Sequence, residues 1–229
     1  MSIKGKFIFI DGGAHTFETS HTCWDIKTEY TKESNGSGNV LMDEANNCPF
    51  FTNVNNIKDV EFHLFECFEG NVTIGIHKGK KLMDVLETNI EKVKNQFGCN
   101  IILNKKAIYI HNNTINFYES IDKWGEVGCT LKAEKKEKLD LVKPRSVQAC
   151  NISEYIKQFN DNDYIVLKLD VEGAEYDILE YMMSNGSLKR INLLYIEWHN
   201  QFFPEKKNSY QNILTYILYH SINYREWKY

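Results

Sequence analysis

Tyr164-Ile-Val-Leu-Lys-Leu-Asp170-Val-Glu-Gly173 is the stretch on which the fold turns. Ile165, Leu167 and Leu169 alternate with Val166 and Lys168, a run apolar enough to lie buried in a sheet. It closes on a carboxylate, Asp170, and turns at Gly173. Helical periodicity over Glu172 to Met183 follows and stops at Gly186, after which Ile191 to Trp198 reads as another strand. Strand, helix, strand in that order builds a parallel sheet.

The same grammar recurs upstream. Phe7-Ile-Phe-Ile-Asp11 is a short strand ending on a carboxylate and meeting the tight turn Gly12-Gly13-Ala14, with Thr16 to Glu29 as the helix after it. Ser34 to Asn56, rich in Asn, Gly and Ser, reads as a long loop, so residues 17–58 form an insertion. Val60 to Glu66 is a second strand with an acidic end. Lys80 to Phe97 is the clearest helix, with Leu82, Val85, Leu86, Ile90, Val93 and Phe97 on one stripe and Gly98 as its stop. Asn100 to Leu103 is a third strand, and Ala107 to Ile110 with Thr114 to Tyr118 predict a hairpin around His111-Asn-Asn. Lys132 to Lys143, a mixed charge run, reads as exposed, and Asn151-Ile-Ser-Glu154 as a capped helix start. Ser209 to His220 is a helix and Tyr224 to Tyr229 a last strand. The expectation is a single α/β domain over residues 1–229, Rossmann-like, with a mostly parallel sheet and helices on both faces.

Charge and cysteine usage narrow the class of function. A net charge of −4 gives no pull on a polyanion, so nucleic acid is a weak partner, and Lys78, Lys80 and Lys81 read as a solvated helix start. The 6 cysteines stand singly, without zinc or redox spacing, which predicts free thiols in a reducing compartment. No apolar run reaches the length of a membrane span, and the N-terminus lacks the flanks of a signal peptide, so the expected location is cytoplasmic.

Asp11, Glu66, Asp170 and Glu197 all fall at carboxyl ends of strands, the edge where such sheets bind ligands. A dinucleotide would need a third glycine where this chain has Phe17, and Asp11 would repel a diphosphate. S-adenosylmethionine (SAM) has no phosphate, and its ammonium and carboxylate suit a strand-end carboxylate and turn N–H groups. The turn Asp11-Gly12-Gly13-Ala14-His15 and the acidic Glu66, next to Cys67, are therefore assigned to SAM.

The stretch Lys168-Leu-Asp170-Val-Glu172-Gly173-Ala174-Glu175 resembles a strand-to-helix signature of the FkbM-type methyltransferases, a SAM-dependent family with many sugar O-methyltransferases. Phe9-Ile-Asp11-Gly-Gly-Ala14 is similar to the family's first motif, Phe65-Glu66 to its second, and Tyr195-Ile-Glu197-Trp-His199 to its fifth-strand element. Asn104-Lys105-Lys106-Ala107 is similar to the stretch that flanks the adenine. His15 stands where the family often has Asn, and Phe17 replaces a usual Gly. The abrupt start of the first motif fits a module of a longer polypeptide as readily as a whole chain. The resemblance implies an O-methyltransferase (EC 2.1.1.-) acting on a sugar hydroxyl of a glycan, with a deoxyhexose such as rhamnose or fucose as the narrow expectation.

A sugar hydroxyl is scarcely ionised at neutral pH and needs a base or a metal. Asp170 is the candidate catalytic centre, with His199 or Glu197 as its partner. Alternatively Asp170, Glu197 and His199 hold a divalent cation, Mg²⁺ or Mn²⁺. Trp198 and Phe202 are the aromatic candidates for stacking on a sugar. Two rival readings are an RNA 2′-O-methyltransferase and a non-catalytic binding module of the same fold.

Overall fold

The computed structural model describes residues 5–15, 60–73, 77–121, 128–136 and 139–227. The expected helix over residues 16–29, Phe17 and the insertion at 17–58 lie outside them.

Six parallel strands form the main sheet: β1 (Phe7–Gly12), β2 (Val60–Phe65), β3 (Asn100–Asn104), β7 (Tyr164–Leu169), β8 (Leu193–Ile196) and β9 (Asn223–Glu226). Their order is β3-β2-β1-β7-β8-β9, the doubly wound arrangement whose direction of growth reverses between β1 and β7. Pairing of Asp11 with Leu64 and with Lys168 brings the carboxyl ends of β2, β1 and β7 level. The last strand, β9, runs parallel to β8, because helix α4 (Lys207–Tyr219) carries the chain back across the sheet first.

Period-two alternation sorts the core into two layers. Ile8, Ile10, Ile165, Leu167, Leu169, Leu194 and Ile196 face helix α3 (Glu175–Ser184) and helix α4. Phe7, Phe9, Phe62, Leu64 and Val166 face the other way, where helix α1 (Leu82–Phe97) contributes Met83, Leu86, Ile90 and Val93. Helix α1 ends as the sequence predicts, on Gly98 at φ 68, a left-handed residue whose N–H caps Lys94.

A second, three-stranded sheet corrects the predicted hairpin. Strands β4 (Ala107–Tyr109) and β5 (Thr114–Phe117) do not pair; strand β6 (Arg145–Asn151) lies between them, parallel to β4 and antiparallel to β5. Residues 110–113 cross over β6 instead of reversing: Asn113 O accepts from Ala149 N and Asn112 Oδ1 from Asn151 N. Asn151 then caps helix α2 (Ile152–Ile156), accepting from Ser153 N and Glu154 N as expected. The predicted helix over Glu172 to Met183 starts later, at Glu175, because Glu172 (φ 53) and Gly173 (φ 101) are both left-handed.

No helix among the described residues is long and apolar enough to cross a membrane. Cys67, Cys99, Cys129 and Cys150 are free thiols.

Candidate active site

The turns after β1 and β7 interlock at the point where the sheet's growth reverses. Asp170 N donates to Gly12 O at 3.0 Å, and Gly13 takes φ 83. A Cβ on Gly13 would lie 1.9 Å from the Asp170 carbonyl oxygen, so only glycine lets the two turns approach this closely. Gly13 N and Ala14 N both donate to Phe65 O, which ties the first turn to β2 as well.

Glu66 follows β2 and gathers the next turn. Its Oε2 accepts from His15 N at 2.9 Å, and its Oε1 accepts from Cys67 N and Phe68 N, each at 2.8 Å. Its own N–H donates to Asn104 O at the end of β3. The structure thus joins Gly12, Gly13, Ala14, His15, Glu66, Cys67 and Asn104 along one edge. Lys105 and Ala107 do not enter this network: Lys105 is exposed and pairs with Glu87 of α1, and Ala107 packs under Phe68 and Phe117. Burial, then the neighbouring Glu66, push the Cys67 thiol well above its ordinary pKa, so it stays neutral.

Beneath the first turn Asp11 is fully buried, its Oδ1 3.0 Å from Lys168 Nζ; Asp170 Oδ2 lies 3.6 Å from the same nitrogen. Burial works against the Lys168 cation, but the attraction of Asp11 and Asp170 outweighs it and raises its pKa. Lys168 therefore serves as a fixed internal cation, not as a contact for a polyanion.

Glu197 and His199 come directly after β8. The strand ends at Ile196, so the pleat cannot align them; the following turn does, with His199 Nε2 4.0 Å from Glu197 Oε1. His199 is buried between two carboxylates, its Nδ1 3.2 Å from Glu175 Oε1 and its Nε2 3.3 Å from Glu172 Oε2. Burial disfavours the charged ring, yet its hydrogen bonds to Glu172 and Glu175 prevail and raise its pKa well above the ordinary value. His199 is thus held as an imidazolium, with both ring nitrogens donating. Glu175 is wholly buried and also accepts from Gly173 N at 2.8 Å and His199 N at 3.2 Å.

Burial, then repulsion from Asp170, push Glu197 up to about 8. Glu197 Oε2 is out of reach of solvent and has no hydrogen-bond partner among the described residues while both carboxyls are ionised. One proton shared between Glu197 and Asp170 removes that penalty.

Sequence reasoning missed Lys135. The run from Lys132 to Lys143 looks exposed, but Lys135 Nζ is buried, 2.7 Å from Glu172 Oε2 and 4.7 Å from the Phe202 ring centre. Its partner lies 37 positions away, beyond any local pattern. Thr130 Oγ1 donates to Glu172 O at 2.6 Å, so residues 128–136 brace the turn from outside. Phe202 stacks on His199 at an interplanar angle of 20°. Trp198 does not face it: the ring is buried against Tyr176 and Tyr210, and Nε1 donates to Tyr224 OH at 2.6 Å.

Asp170, Glu172 and His199 each offer an atom within 4.8 Å of the others, a spacing a cation could use. Glu172 stands in this cluster where the sequence reading put Glu197, and without a cation His199 lies between the Glu172 and Glu175 carboxylates.

Over 120 residues the chain is 29% identical to the cytoplasmic dynein intermediate light chain DYN3 of Kluyveromyces lactis. That match covers 52% of this chain and only 30% of the relative's length. No solved structure matches the chain significantly. The family described as "Methyltransferase FkbM domain" matches residues 11–226, nearly the full length. The chain belongs to the FkbM methyltransferase family.

Proposed function

We propose that this protein is a SAM-dependent O-methyltransferase that methylates a sugar hydroxyl of a glycan, with Asp170 as the proton acceptor. The observation that carries this reading is Asp170 itself. It stands at the reversal point of the sheet, between the Gly12-Gly13 turn and the Glu197–His199 turn.

The residues at the edge fit SAM. Glu66 is fixed by three backbone N–H groups and keeps acceptor capacity for ribose hydroxyls, while Lys168 is committed to Asp11 and is no free cation for a diphosphate. With Glu197 protonated, the carboxylates of Asp11, Asp170, Glu172 and Glu175 outnumber the cations Lys168, His199 and Lys135 by one. A site with one excess negative charge suits a sulfonium. Bound SAM supplies the activated methyl group; the protein orients the acceptor and takes its proton.

Calorimetry tests the cofactor: SAM and S-adenosylhomocysteine should bind and NAD should not. Glu66→Ala should weaken that binding by roughly 1–3 kcal/mol, the cost of stranding hydrogen-bonded groups. Binding of NAD without SAM would overturn the assignment.

The shared proton gives a pH signature. Below the pKa of about 8, the Glu197 proton engages Asp170 and dulls it as an acceptor; above it, the pair is a full base. Turnover should rise with pH through that value, and Glu197→Gln should erase the rise. A flat wild-type profile would separate Glu197 from the chemistry. If Asp170 takes the proton directly, activity should withstand EDTA; loss of activity on chelation would favour the Mg²⁺ or Mn²⁺ alternative instead.

A further inference from the structure

A second chain of polar groups runs under the other end of the same edge. His63 of β2 is buried, with Nε2 2.9 Å from Glu61 Oε1 and Nδ1 2.7 Å from the Tyr155 hydroxyl. Burial holds its pKa below the ordinary value despite the pull of Glu61, so the ring is neutral and carries one N–H. Lys6 Nζ, 3.1 Å from Glu61 Oε2, helps keep that carboxylate ionised. A carboxylate can only accept, so the ring proton sits on Nε2 and Nδ1 accepts the proton of Tyr155.

The Tyr155 oxygen in turn accepts from Asn104 Nδ2 at 3.3 Å. The same nitrogen lies 3.3 Å from the Leu64 carbonyl, which cannot donate, and this settles which amide atom is nitrogen. Both amide protons therefore point inward. Among the described residues nothing donates to Asn104 Oδ1, which is the amide's remaining acceptor at the end of β3, beside Glu66.

We propose that the Glu61–His63–Tyr155 relay locks the Asn104 amide with its oxygen toward the bound nucleoside, making the site selective for a purine with a 6-amino group. The inference rests on the SAM reading, in which the ribose lies at Glu66 and the base extends toward β3. An unrestrained Asn can rotate by half a turn and serve either a donor or an acceptor. The relay removes that freedom: a 6-amino group donates to Oδ1, whereas a 6-oxo group meets it acceptor to acceptor. Tyr155, His63 and Glu61 are positioning residues, because they act only through Asn104.

The test compares binding of S-adenosylhomocysteine with its 6-oxo counterpart, S-inosylhomocysteine, by calorimetry. The wild type should favour the 6-amino ligand by about 10–100-fold, the scale of one unpaired buried group. Tyr155→Phe should shrink the ratio to under about threefold, and so should His63→Leu. His63→Asn, which can still accept from Tyr155, should keep most of it. A merely structural role would weaken both ligands alike and leave the ratio intact; an unchanged ratio in Tyr155→Phe and His63→Leu overturns the relay. A wild type that binds both ligands equally overturns the relay alone. One that binds neither overturns the SAM reading with it.

Discussion

Replacing Asp170 by Asn is expected to lower turnover by roughly 10²–10⁴-fold, the usual scale for loss of a general base. The substitution keeps the size of the side chain and the backbone link from residue 170 to Gly12 O. It removes the carboxylate that ends β7 at the reversal point, 3.6 Å from Lys168 and in contact with Glu197. SAM affinity should change far less, since Glu66 and the first turn carry the cofactor in this account. Single-turnover kinetics at saturating SAM separate the two effects. Near-normal turnover in the variant would place the chemistry on another residue.

The second large effect is on stability. Glu175→Ala should cost about 3–5 kcal/mol, the range for stripping one partner from a buried ion pair. The carboxylate has no exposure, and its removal strands the His199 ring, His199 N and Gly173 N together. Glu172 stays as a counter-charge, but on the other ring nitrogen. Glu175→Gln, which can still accept, should lose less. The raised pKa of His199 gives the effect a sign: its contribution is complete below the ordinary value of 6.5 and declines as pH rises toward the higher folded value. Urea denaturation of wild type and Glu175→Ala across neutral and alkaline pH measures both. A loss under about 1 kcal/mol would mean that His199 is not held as a cation.

The long-range plan was legible because its signals are local. Tyr164 to Leu169 announces a buried strand by composition, and Asp170 marks its end, so the strand and its terminus fall where the pattern puts them. The stripe of α1 and the Asn151 cap are equally short-range and equally clear. What escaped depends on partners far apart in sequence. Strand β6 separates β4 from β5 across some thirty residues, the buried pairing of Lys135 with Glu172 spans 37, and that of Lys168 with Asp11 spans 157. A lysine in a charged run has no local mark that it will be buried. The turn at Glu172 and Gly173 escaped for another reason: a left-handed non-glycine residue delays the helix start by three positions, against propensity, and is held there by Thr130 and Lys135. Asp11, read as a partner for the SAM ammonium, lies with its carboxylate on Lys168, a contact that only the sheet register reveals.

The most direct measurement of the central claim is transfer of label from methyl-labelled SAM to a panel of glycosides and a panel of RNAs. The account predicts label on a free hydroxyl of a glycoside, with deoxyhexosides such as rhamnosides and fucosides the first to test, and its loss in Asp170→Asn. Label in RNA alone, or no transfer to any hydroxyl by a wild type that binds SAM, would contradict it.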